Sequence, residues 1–115
     1  MTIALVVFAL AALGGVTMAV IRFRGAERPP TGLALLHGAA AAAGIIVLIV
    51  GMMSMSNPAQ ARTALVFFIL AALGGCYLFA QHVQKRALPI PVILLHALVA
   101  VIGFLILLVV VIHVG

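Results

Sequence analysis

The sequence predicts an all-α membrane protein, an up-down bundle of four transmembrane helices made of two tandem two-helix repeats. Three observations carry that expectation. First, 68% of the 115 residues are hydrophobic and only 6% are charged, whereas a soluble domain carries about a quarter charged residues. The mean hydropathy is +1.50. Second, apolar runs near the length needed to cross a bilayer as a helix, about twenty residues, occur four times. Third, the second half of the chain repeats the first, block by block.

Each span has readable ends. The first runs from about Ile3 to Ile21. No basic n-region or cleavage site accompanies it, so it reads as a retained span rather than a signal peptide. Arg24-Gly25 and Pro29-Pro30 break the chain before the second span, Gly32 to Met53. Ser56-Asn57-Pro58 follows, with Asn57 suited to an N-cap and Pro58 to a first helical turn. The third span runs from Ala61 to Phe79, with an extension to Gln84. Lys85-Arg86 and Pro89 separate it from the fourth, Ile90 to Ile112, which carries Pro91 just inside its start. Links this short make consecutive helices antiparallel neighbours. The whole chain, 1–115, forms one domain, with repeat one over 1–56 and repeat two over 57–115.

The basic residues orient these spans. Arg22, Arg24 and Arg28 flank the first link, Lys85 and Arg86 the third, and Arg62 alone lies near the second. The positive-inside rule then places links one and three in the cytoplasm, and both termini in the periplasm of a bacterial inner membrane. The net charge of +5 is confined to helix ends and does not point to nucleic acid. The single cysteine, Cys76, excludes an internal disulfide and a cysteine-built zinc site, and reads as a small core residue. Glu27, the only acid, reads as a solvated ion-pair partner.

The repeat is specific. Phe8-Ala9-Leu10-Ala11-Ala12-Leu13-Gly14-Gly15 recurs as Phe68-Ile69-Leu70-Ala71-Ala72-Leu73-Gly74-Gly75, and Leu35-Leu36-His37 as Leu94-Leu95-His96. Ala41 matches Ala100, and Gly44 matches Gly103. Each repeat contributes two spans, so the expected pseudo-twofold axis runs along the membrane normal. Around it, helices two and four are diagonal partners, with His37 and His96 at one depth.

A histidine inside a span usually faces protein rather than lipid. Here two do so, with Gly14, Gly15, Gly44, Gly74, Gly75 and Gly103 as small neighbours. The expectation is a slot for a flat macrocycle, with His37 and His96 ligating the iron of one haem b. Arg22 and His82, aligned in the repeat, stand at the end where propionates would emerge. His113 and Met53, at the opposite end, form a weaker second metal candidate.

In its paired intramembrane histidines the chain resembles the membrane b-type cytochromes. That resemblance implies single-electron transfer to or from a quinone or another membrane redox subunit, with the chain a carrier rather than an enzyme. A second reading is a non-catalytic accessory subunit of a larger respiratory or photosynthetic complex, or a homodimer joined through the Gly-Gly faces. Its histidines would then be interhelical polar glue. A small transporter ranks third, because no span carries a carboxylate. No Ser/His/Asp set, HExxH motif or carboxylate pair supports hydrolysis.

Overall fold

A computed structural model describes residues 1–114, and Gly115, the last residue of the second repeat, lies outside them. Four helices account for nearly all of it: α1 (Thr2–Phe23), α2 (Thr31–Met52), α3 (Ala59–Val83) and α4 (Ile90–Val114). At 1.5 Å per residue the shortest of these spans roughly 33 Å, enough for a hydrocarbon core of about 30 Å. All four are long and apolar enough to cross a membrane. The molecule measures 46 × 22 × 19 Å along its principal axes, the proportions of a bundle.

Several helix ends differ slightly from expectation. The third helix begins at Ala59, two residues early, and continues to Val83. Its N-cap is Pro58 rather than Asn57, although the Asn57 Oδ1 still accepts the Ala59 N–H at 3.3 Å. The first helix gains residues at both ends, and the fourth runs two residues beyond Ile112.

The helices form a ring in which α1 packs on α2 and α4, and α3 packs on α2 and α4. Contact is most extensive within each repeat, so the bundle reads as two hairpins joined along two lighter seams, α2/α3 and α1/α4. The interior is built largely of small residues. Ala4, Phe8 and Ala11 form one buried stripe on α1, and Ala64, Phe68 and Ala71 form its counterpart on α3. Leu48 and Leu107 fill the same interior from α2 and α4. Large side chains such as Leu13, Leu36, Leu73 and Leu95 point outward on all four helices. Small residues inside and large apolar ones outside suit a lipid surround, where close backbone approach rather than expulsion of water drives association.

Polar groups on the outer faces are satisfied locally. Thr17 and Thr63 donate to the carbonyls of Leu13 and Ala59, four residues back. In hydrocarbon an unpaired hydroxyl has no water to turn to. Cys76 departs from the expected core position and is exposed. It lies five residues past buried Ala71, roughly 140° around the helix from the inward stripe.

At the basic end the two hairpin links are tied together. Leu88 N–H donates to the Glu27 carbonyl at 3.0 Å, and Arg22 Nε donates to the Leu88 carbonyl at 2.9 Å. Arg28 Nη1 donates to the Lys85 carbonyl at 2.6 Å.

Candidate functional site

The site is built where the two hairpins face each other. His37 lies on α2 against the paired glycines of α1. A methyl group added at Gly15 would sit 3.1 Å from the His37 Cε1, and one at Gly14 would sit 3.5 Å from its Cβ. His96 occupies the corresponding place in repeat two, 3.6 Å from the Cβ position of Gly74 and 3.3 Å from that of Gly75. The glycines therefore seat the imidazoles directly. At Gly15 and Gly75 an added Cβ would press on the ring, whereas at Gly14 and Gly74 it would meet the histidine at ordinary contact distance.

One backbone carbonyl orients each ring. His37 Nδ1 donates to the Ala11 carbonyl at 2.7 Å, and His96 Nδ1 donates to the Ala71 carbonyl at 2.7 Å. A carbonyl can only accept, so the proton resides on Nδ1, and in the neutral ring Nε2 is left with its lone pair. The sequence could not reveal these carbonyls, because a backbone acceptor carries no residue signature.

The two rings meet across the bundle. Their centroids are 6.2 Å apart, and their planes are inclined at 78°. Diagonal helices thus touch through side chains although their backbones do not. The same happens on the other diagonal, where Phe8 and Phe68 stack at 3.6 Å with planes only 3° apart. This aromatic layer is absent from the sequence expectations. Its signal was the repeated Ala4-Phe8-Ala11 and Ala64-Phe68-Ala71 stripe.

The remaining expected site residues fall in other places. Gly44 lies under the Phe8 ring, where an added Cβ would meet Cε1 at 2.8 Å. Gly103 faces Phe67 Cβ at 3.1 Å and the Ala64 carbonyl oxygen at 3.4 Å. Both belong to the aromatic layer, about two turns from the histidines. Arg22 is engaged by the carbonyls of Leu88 and Ala26. His82 is buried at the end of α3, with Nε2 2.9 Å from the Thr31 Oγ1. At the opposite end His113 is exposed and donates to its own helix at Val109. Met53 is 83% exposed, while Met52 and Met55 pack against the core. Among the described residues no three His, Cys, Asp or Glu side chains gather into a metal site.

No protein-family model matches the chain, and no curated protein or solved structure matches it either.

Proposed function

We propose that the chain is a small b-type cytochrome, with His37 and His96 as the two axial ligands of one haem b. The observation that carries this reading is the imidazole pair, two rings 6.2 Å apart with Nδ1 anchored on a carbonyl in each. His37 and His96 stand close enough across the bundle that both could hold one group between them. An Nδ1–H donated to a carbonyl is the usual support of a ligating histidine, because it fixes the tautomer and aims the Nε2 lone pair. Two imidazoles are too few for a bare structural ion such as zinc, which takes four ligands. They complete the set when a macrocycle supplies the other four nitrogens.

When bound, the haem would supply a one-electron couple at its iron. The chain's own part is to hold the two imidazoles and to keep water from them with apolar helices. Arg22 and His82 are engaged by Leu88 and Thr31, so the reading rests on the imidazole pair and not on propionate partners. A quinone or another membrane subunit is the redox partner that this chemistry calls for. In this reading the repeats share a pseudo-twofold axis along the membrane normal, in a bacterial inner membrane with both termini periplasmic.

A second reading is an accessory subunit in which each histidine clamps its own hairpin. Its support is that both Nδ1 bonds stay within one repeat, and bonds of this kind between membrane helices are worth about 1 kcal/mol. A dithionite-reduced minus oxidised absorption spectrum of the purified protein, expressed with ample haem, separates the two. The cytochrome reading expects sharp α and β bands that vanish in both His37→Ala and His96→Ala and persist in His113→Ala. A flat wild-type spectrum, or full low-spin bands in His37→Ala, overturns the axial pair and leaves the clamp.

A further inference from the structure

The basic end of the bundle holds an open hollow of about 410 Å³, lined by Arg28, Thr31, His82, Val83 and Lys85. It lies on the α2/α3 seam, where Thr31 opens α2 and His82 and Val83 close α3. That is the level at which membrane helices leave hydrocarbon for headgroups. We propose that this hollow binds the phosphate of an anionic phospholipid headgroup. The proposal is independent of the haem reading.

Four features select this chemistry. Arg28 and Lys85 put two cations on the lining, and Glu27, the one acid nearby, is already 3.4 Å from Arg28 Nη1. Among the described residues no acceptor meets the other guanidinium nitrogens of Arg28. Second, His82 is 8% exposed, and its Nδ1 is buried without a partner. An orphaned lone pair is easier to tolerate than an orphaned N–H. The favoured tautomer therefore carries its proton on Nε2 and donates it to Thr31 Oγ1. The Thr31 hydroxyl proton is then free for an acceptor in the hollow. Third, exposed Val83 gives the hollow an apolar lip, as an acyl chain beside a headgroup requires. Basic recesses between membrane helices are favourable places for such headgroups.

The fourth feature is conformational. Lys85 has φ +57°, while the aligned residue after α1 is Gly25, with φ +112°. Both helices end in the same motif: Gly25 and Lys85 N–H bond back to Arg22 and His82, and Ala26 and Arg86 N–H bond back to Ile21 and Gln81. That motif favours glycine. The second repeat carries a lysine in that left-handed position, a conformation that costs more for a side-chain-bearing residue than for glycine, and it sets a cation on the lining of the hollow. The other seam has no comparable recess chemistry, since Arg22 stands where His82 would be and Ile90 where Thr31 would be.

Native mass spectrometry of the full chain, released from micelles containing equal phosphatidylglycerol and phosphatidylcholine, tests the proposal, alongside thermal midpoints with added inorganic phosphate. The expected result is one retained phosphatidylglycerol per chain and little phosphatidylcholine. Retention should fall about fivefold for each of Arg28→Gln and Lys85→Gly, the worth of one cation against an anionic surface. Lys85→Gly should unfold no earlier than wild type, because glycine relieves the strain, so lost binding there is not lost folding. Equal retention of both lipids, or undiminished retention in both variants, overturns the proposal. A midpoint raised equally by millimolar inorganic phosphate assigns the hollow to free phosphate and overturns the lipid claim.

Discussion

A glycine's role in this bundle depends on what its missing side chain would strike. Gly14, Gly15, Gly74 and Gly75 receive the imidazoles, whereas Gly44 receives the edge of Phe8, and nothing lies within 4 Å of the Cβ position at Gly38. The Phe8 ring is held between Gly44 and its stack with Phe68, so it has no free direction in which to retreat. Gly44→Ala is therefore expected to destabilise the bundle by about 1–3 kcal/mol, the range for an overpacked core. Gly38→Ala should be neutral or gain up to about 1 kcal/mol from helix propensity. Chemical unfolding of both variants in detergent measures the contrast, and equal midpoints would remove the aromatic layer from the account. The histidines were legible from the sequence because a polar residue in an apolar helix stands out, and here it does so twice. The phenylalanines were not, because Phe in such a helix suits lipid and interior equally.

Helix ends show how one local rule is met in two ways. α1 and α3 stop with the same pair of backbone bonds, yet only α1 has a glycine at the left-handed position. Gly25 sits at φ +112°, where a Cβ is strained by about 1–2 kcal/mol. Gly25→Ala should lower the thermal midpoint by that order, measured by circular dichroism in detergent. An unchanged midpoint would mean that link one relaxes freely despite its bonds to link three. The break at Arg24-Gly25 was readable in advance, because glycine after a long apolar run is a stop signal. The stop at Lys85 was readable only from its charge and the prolines that follow. The tie between Leu88 and Glu27 joins residues 61 positions apart in a backbone bond, and no side-chain pattern encodes it.

Seen whole, the molecule has two dissimilar ends. Arg22, Arg24, Arg28, Lys85 and Arg86 gather at one, and Met1, Ser54, Ser56 and Asn57 at the other. Four antiparallel helices bring both termini to the second end. If the basic end faces the cytoplasm, as the positive-inside rule expects, an alkaline phosphatase fused after the last residue should be active in a bacterial host, and one fused after Arg28 should be inactive. The reverse pattern would invert the orientation and place the proposed headgroup site in the outer leaflet. Large apolar side chains cover the outer faces of all four helices, and such a surface is stable only against lipid or another apolar chain.

Composition, span length and the repeated blocks were enough to specify four membrane-length helices and to single out His37 and His96. Hydropathy and identity are properties of the chain in order, and a helix in hydrocarbon must satisfy its own backbone wherever it lies. The partners of those histidines were a different matter. The carbonyls of Ala11 and Ala71, the ring-to-ring contact, the phenylalanine stack and the hollow around Thr31, His82 and Lys85 depend on how two hairpins rotate and settle against each other. Several rotations bury apolar residues equally well in lipid. The choice among them is made by shape, through glycines that admit a ring and alanines that let backbones close, and shape exists only once the helices are assembled.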